Sequence, residues 1–146
     1  MTLPPLPESA IMIGADAPDW RGAVKLAAEA LAASGAATPA YAREMVRMIE
    51  EHGPYVVIAP GLALAHARPG PEVLSDGIAV VTLREPVRFG HPHNDPVRVV
   101  LGLASAPETH LGAVAALANV FNDSTAIDDL AAATTPAEVQ AIMGAV

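Results

Sequence analysis

Apolar and polar positions change period several times along this chain, and each change marks an element. "AIMIG" at 10–14 predicts a short first strand with Ile11 and Ile13 on one face. From Arg21 the period lengthens. Val24, Ala27, Ala28 and Leu31 fall at i, i+3, i+4 and i+7, which predicts an amphipathic helix ending near Ser34–Gly35. "TPAYAREMVRMIEEHG" predicts a second helix, with Thr38 as N-cap, Pro39 at the first helical position and Gly53–Pro54 as the stop. Its apolar stripe is Tyr41, Met45, Met48 and Ile49.

Tyr55 to Ile58 reads as a buried strand, followed by a Pro- and Gly-punctuated loop from Ala59 to Pro71. "DGIAVVTL" and "PVRVVLGLAS" are two further strands, the second with Val97, Val99, Leu101 and Leu103 on one face. "ETHLGAVAALANVFND" predicts a helix whose core face is Leu111, Val114, Leu117, Ala118 and Phe121. A helix follows around Ile127–Ala133, and a last one starts at Thr135–Pro136, where Thr135 and Glu138 have capping-box spacing. Residues 1–9 are Pro-rich and read as an extended lead-in. Strands interleaved with helices, with no repeat and no linker, predict one α/β domain over 1–146 with a largely buried sheet.

Composition narrows the function. The 146 residues are 52% hydrophobic and carry a formal charge of −8, with eight Lys and Arg scattered rather than clustered. Nucleic acid and anionic lipid would meet no basic patch, so neither is expected as a partner. There is no cysteine, hence no disulfide and no thiolate chemistry, which fits a reducing cytoplasm. "MTLPPLPES" lacks the basic start and apolar stretch of a signal peptide, and no apolar run reaches the ~18 residues of a membrane span. A cytoplasmic protein without membrane insertion is expected.

The chemistry rests on five histidines. His52 ends a helix beside two glutamates, where a cation suits the helix dipole. His91, His93 and Asp95 have the H-x-H-x-D spacing of a metal-binding loop, but Pro96 follows and no other ligand cluster exists. "FGHPHNDP" therefore reads as a polar turn between strands, with no metal. His110 lies in the first turn of a helix, where it would either cap the helix or stand among free N–H groups that suit a phosphate. His66 stands in the loop at a strand exit, which suggests exposure. An imidazole with an ordinary value of about 6.5 is mostly neutral at cellular pH, so a ring nitrogen is free as a nucleophile. Arg68, two residues on, would point the same way in an extended stretch. A neutral nucleophile beside a cation suits phosphoryl transfer, which depends on positioning and charge stabilisation.

Three stretches, "GPYVVIAPGLALAHARP", "FGHPHNDPVRVVLGLA" and "ETHLGAVAALANVFND", together resemble the enzyme IIA component of the bacterial phosphotransferase system. The resemblance runs from about Ala10 to the C-terminus and is to the mannitol/fructose-type superfamily, in its ascorbate-specific branch. It implies a mixed sheet of about five strands flanked by helices. It also implies that His66 accepts a phosphoryl group from the phosphocarrier HPr and donates it to a cysteine of the IIB component during sugar uptake. His110 is then the second histidine that helps hold the phosphoryl group, and Arg68 a candidate for stabilising its charge. Such a relay needs no metal or organic cofactor.

Two features depart from the family pattern: Ala65 stands where a proline commonly precedes the active histidine, and His91 and His93 stand where ascorbate-type members carry acidic or small residues. Neither Arg43 nor Arg47 matches the helix arginine of mannitol-type members. Two other functions remain open at this level. IIA-like domains also serve as regulatory modules that signal phosphorylation state to a partner protein, and the "HPHND" loop would suit a metal-dependent hydrolase. An exposed apolar helix face would also support a homodimer.

Overall fold

The computed structural model describes residues 3–144. Of the lead-in, Met1 and Thr2 lie outside them. The rest is not a free arm: Leu6 is buried, and a short 3-10 turn, Glu8–Ala10, runs directly into the first strand.

Five strands form one mixed sheet. They are β1 (Ile11–Ala15), β2 (Val57–Ala59), β3 (Leu62–Ala65), β4 (Gly77–Val87) and β5 (Val97–Ala104), in the order β1-β4-β5-β3-β2. β1 runs parallel to β4 and β3 parallel to β5, while β4–β5 and β2–β3 are antiparallel. Every residue of β3 is buried, as are seven of the eight in β5. Because successive strand residues face opposite sides, both faces of this central pair are covered.

The described residues form five helices, α1 (Trp20–Ala33), α2 (Tyr41–His52), α3 (Pro107–Val120), α4 (Ala126–Ala132) and α5 (Pro136–Met143); α1, α4 and α5 pack on the sheet and α2 packs against α1. The expected α/β architecture with a mixed sheet of five strands is the one found. Asp19 caps α1 by accepting the Gly22 N–H at 2.9 Å, and the stripe Val24, Ala27, Ala28 and Leu31 is buried as its spacing predicts. Gly102 on β5 is what lets α1 come so close. A Cβ there would lie 3.1 Å from Leu31 Cδ1 and 3.3 Å from the Ala27 carbonyl oxygen. Thr135 caps α5 through the Glu138 N–H, as the capping-box spacing indicated.

Three expectations need correction. The second helix starts at Tyr41 rather than at Thr38–Pro39, and its N-cap, Ala40, supplies no side chain. Long-range pairing wins there: Ala37 bridges Val73, and the Thr38 N–H donates to the Glu72 carbonyl. The predicted strand Tyr55–Ile58 and the loop after it are in fact a hairpin. Gly61, at φ 80°, turns the chain between β2 and β3, so the supposed loop contains the buried strand that leads to His66. On α3 the buried residues are Ala113, Ala116 and Leu117, whereas Leu111 is 80% exposed and Ala118 is exposed as well. The helix is rotated from the predicted face, and His110, three residues before Ala113, comes to the inner side in place of Leu111.

The register fixes where chemistry can occur. Ala65 at the end of β3 pairs with Gly102, so β3 and β5 run out at the same end of the sheet. His66 leaves one strand there and Ser105 the other. β4 runs the opposite way, so Asp76, just before its first residue, reaches this end too. The loop 88–96, which joins the far end of β4 to the start of β5, lies at the other end.

Candidate active site at the exit of two parallel strands

Local hydrogen bonding sets the orientation of His66. Its Nδ1 lies 2.8 Å from the carbonyl oxygen of Leu64. A carbonyl only accepts, so Nδ1 carries the proton and Nε2 of the neutral ring keeps its lone pair. The ring is half-buried rather than exposed as the loop reading suggested. Burial holds the imidazole below the ordinary histidine value; the Leu64 carbonyl opposes this and the nearby His110 adds to it. The neutral, nucleophilic form is therefore favoured at neutral pH.

Both tyrosines of the chain hold the backbone around this histidine. Tyr55 packs edge-on against the His66 ring, with centroids 5.5 Å apart, and its hydroxyl donates to the His66 carbonyl at 3.1 Å. Tyr41, buried at the start of α2, accepts the Ala67 N–H at 3.0 Å. Its own proton goes to the carbonyl of Ala67 or of Leu103, each 3.1 Å away. The residue after His66 is thus tied both to α2 and to β5. Burial pushes both phenols above the usual tyrosine value, with the Ala67 hydrogen bond opposing it at Tyr41 and the Arg68 charge at Tyr55. Sequence reading placed Tyr41 on a helix stripe and Tyr55 in a strand, and missed both roles.

His110 comes to the same place from α3. Its ring centroid is 5.9 Å from that of His66, the planes tilted by 39°. Asp76 fixes the start of that helix by accepting from the Ala106 N–H at 3.0 Å and the Thr109 hydroxyl at 2.8 Å. The helix start is not the open row of N–H groups that a phosphate would need. The Ala106 N–H is taken by Asp76, Pro107 has none, and those of Thr109 and His110 turn back to the Ala106 carbonyl. What α3 offers at this position is the His110 ring, whose Nδ1 meets the Ser105 hydroxyl at 2.7 Å.

The other sequence candidates lie elsewhere. Arg68 is exposed and lines a cleft with Glu44, Arg47, Met48, Glu51 and His52, on the α2 side. Among the described residues no hydrogen bond or ion pair ties it to His66; its charge is felt at Tyr55, which touches His66. His52 is exposed at the end of α2, 3.7 Å from the Glu51 carboxylate. The "HPHND" loop is a polar turn at the opposite end of the sheet, so it does not border the His66 face. Asp95 accepts the N–H groups of Phe89, Gly90 and His91, and the His91 Nδ1 accepts those of His93 and Asn94. Both Asp95 carboxylate oxygens and the His91 Nδ1 are thus engaged with the loop's own backbone.

The chain is similar in sequence and fold to known proteins. The profile of the family described as "Phosphoenolpyruvate-dependent sugar phosphotransferase system, EIIA 2" matches residues 5–145. An ascorbate-specific PTS system EIIA component of Shigella boydii is 38% identical over 131 residues, covering 88% of this chain and 85% of that protein. The mannitol-specific cryptic phosphotransferase enzyme IIA of Escherichia coli superimposes with a TM-score of 0.83 at 27% identity, over 94% of each chain. The enzyme IIA for mannitol of Escherichia coli, solved in complex with phosphorylated enzyme IIB, superimposes with a TM-score of 0.84 at 25% identity, over 96% of this chain and 97% of that one.

Proposed function

The chain belongs to the EIIA 2 family of the phosphoenolpyruvate-dependent sugar phosphotransferase system, whose members are phosphoryl-relay transferases, and we propose that Nε2 of its His66 carries the phosphoryl group. The observation that supports this is the 2.8 Å bond from Nδ1 to the Leu64 carbonyl, which leaves Nε2 as the free lone pair beside His110.

The relay needs no proton transfer. The Nε2 lone pair attacks the phosphorus of phosphorylated HPr. The donor's N–P bond breaks, its electron pair returns to the donor imidazole, and an Nε2–P bond forms. The phosphorylated His66 ring keeps its Nδ1 proton on the Leu64 carbonyl and so is an imidazolium, a good leaving group. A thiolate of the IIB component then attacks the phosphorus, an S–P bond forms, and the Nε2–P electron pair returns to a neutral ring. Rate comes from holding the ring in line and from stabilising the phosphoryl oxygens, which we assign to His110 and, from the rim, to Arg68.

IIA domains of this family engage IIB components. HPr is the donor in this reading, and both partners dock where Tyr55 and Leu111, exposed large apolar residues, flank the two histidines. A homodimer over Leu111 would cover that face, so the reading gives the surface to the relay partners. A net charge of −8 attracts basic partners to the molecule as a whole, an attraction that weakens with salt. The similarity to ascorbate-specific components makes ascorbate the sugar we assign to the uptake system. A relay between such partners operates in the cytoplasm, and no helix among the described residues is long and apolar enough to cross a membrane.

The test is incubation with enzyme I, HPr and labelled phosphoenolpyruvate. One acid-labile, alkali-stable phosphoryl group is expected, located on His66 by mass spectrometry under alkaline conditions and lost in His66→Ala. Stoichiometric labelling of His66→Ala, or a phosphoryl group mapped to His91, His93 or His110, would overturn the assignment.

A further inference from the structure

Ser105 is one of the buried polar side chains, 2% exposed, in the two-residue link between β5 and α3. A buried hydroxyl must place its proton on an acceptor or lose free energy. Among the described residues the Ser105 Oγ has one partner, the Nδ1 of His110 at 2.7 Å. Two arrangements fit that distance. If Nδ1 carried the proton and donated it to Oγ, the hydroxyl's own hydrogen would be left in the interior without an acceptor. If the hydroxyl donates to Nδ1, both groups are satisfied. The second arrangement leaves the proton of neutral His110 on Nε2.

We propose that Ser105 is a positioning residue: it fixes His110 as the Nε2–H tautomer and holds its ring toward His66. The inference rests on the reading of His66 as phosphoacceptor and His110 as its support. The two rings are then set in opposite tautomers by their neighbours. The Leu64 carbonyl puts the His66 proton on Nδ1, freeing Nε2 to bond phosphorus. The Ser105 hydroxyl puts the His110 proton on Nε2, making that nitrogen a donor for a phosphoryl oxygen. An unprotonated His110 Nε2 would instead turn a lone pair on the anionic group and repel it. Ser105 reaches this position because β5 ends at Ala104 and Asp76 pins the backbone of Ala106 and the Thr109 side chain, which fixes both ends of the Ser105–His110 turn.

The experiment has two arms. Long-range proton–nitrogen correlation spectra of the unphosphorylated protein should show His110 as a single Nε2–H tautomer, and Ser105→Ala should give a mixture of both tautomers. Transfer from phosphorylated His66 to the IIB component should slow about tenfold in Ser105→Ala, less than the full loss of an oxyanion-type donor, and recover in Ser105→Thr. A wild-type His110 protonated on Nδ1, or a Ser105→Ala protein with an unchanged tautomer, would overturn the proposal. So would unchanged transfer in Ser105→Ala alongside slowed transfer in His110→Ala. Unimpaired transfer in His110→Ala would instead refute the reading of the histidine pair; the tautomer spectra decide Ser105's hold on the ring separately.

Discussion

Replacing Tyr41 by phenylalanine removes one oxygen and leaves the ring in its buried place. The Ala67 N–H then loses its acceptor, and the carbonyls of Ala67 and Leu103 lose a shared donor. Ala67 and Leu103 are 4% and 0% exposed, so water does not replace the hydroxyl. One buried donor left unsatisfied costs about 1–3 kcal/mol. With about 2 kcal/mol lost and a urea m-value of about 2 kcal/mol/M, the unfolding midpoint should fall by about 1 M. The freed Ala67 also lets the strand exit move, so His66 spends less time on the Leu64 carbonyl. A lost positioning energy of about 1.4 kcal/mol would slow phosphorylation by HPr about tenfold. Alkali provides a separate check. Burial raises the Tyr41 phenol, so above about pH 10 the unfolded chain releases this proton before the folded one does. The folded state then holds more protons, and stability falls as pH rises. Tyr41→Phe should lower that alkaline slope, with Tyr55, which is raised as well, still contributing. A Tyr41→Phe protein with wild-type urea midpoint and wild-type phosphorylation rate would refute the reasoning.

Other outcomes follow from the same geometry. His110→Ala should still take the phosphoryl group on His66 but pass it to the IIB component about 10²–10³-fold more slowly in single-turnover transfer assays. Because burial holds His66 below its ordinary value, the unfolded chain takes up a proton first on acidification; the stability this group contributes is intact above about pH 6.5 and is lost as pH falls below it. Urea midpoints at pH 7.5 and 5.5 should therefore differ more in wild type than in His66→Gln. Asp95→Ala removes the acceptor of three backbone N–H groups and should cost about 2–3 kcal/mol in urea unfolding. It should leave the rate of labelling by HPr unchanged, since that loop lies at the far end of the sheet.

The sequence carried the element types well and their long-range partners poorly. Alternation and helical period placed β1, β5, α1 and α5, because each has a clear apolar face or cap of its own. The hairpin of β2 and β3 read as one strand and a loop, although Pro60–Gly61 is a turn dipeptide that could have split it. α3 misled for a different reason. It is rich in alanine, which is small enough to sit inside or outside, so Leu111 outweighed Ala113 and Ala116 in choosing a face. That same error hid the inward position of His110. His66 was legible because a strand exit is a local feature. The Tyr41 hydroxyl was not, since its partners lie 26 and 62 positions along the chain and no local pattern encodes them. The start of α2 failed similarly, through the distant pairing of Ala37 with Val73.

The side-by-side exit of β3 and β5 makes the relay a test of its own assembly. These strands are neighbours in space but are separated in the chain by the whole of β4, and antiparallel hairpins can form before they meet. A partly collapsed chain can hold His66 in a finished β2–β3 hairpin and His110 in a finished helix and still present no paired site. Onward transfer therefore reports on a slow kind of contact, a parallel pairing of high sequence separation. In a refolding time course the ability to pass on a phosphoryl group should appear with the last cooperative phase, after helix signals have recovered. An unfinished molecule would then pass little phosphate onward to the transporter, with no separate inspection step required.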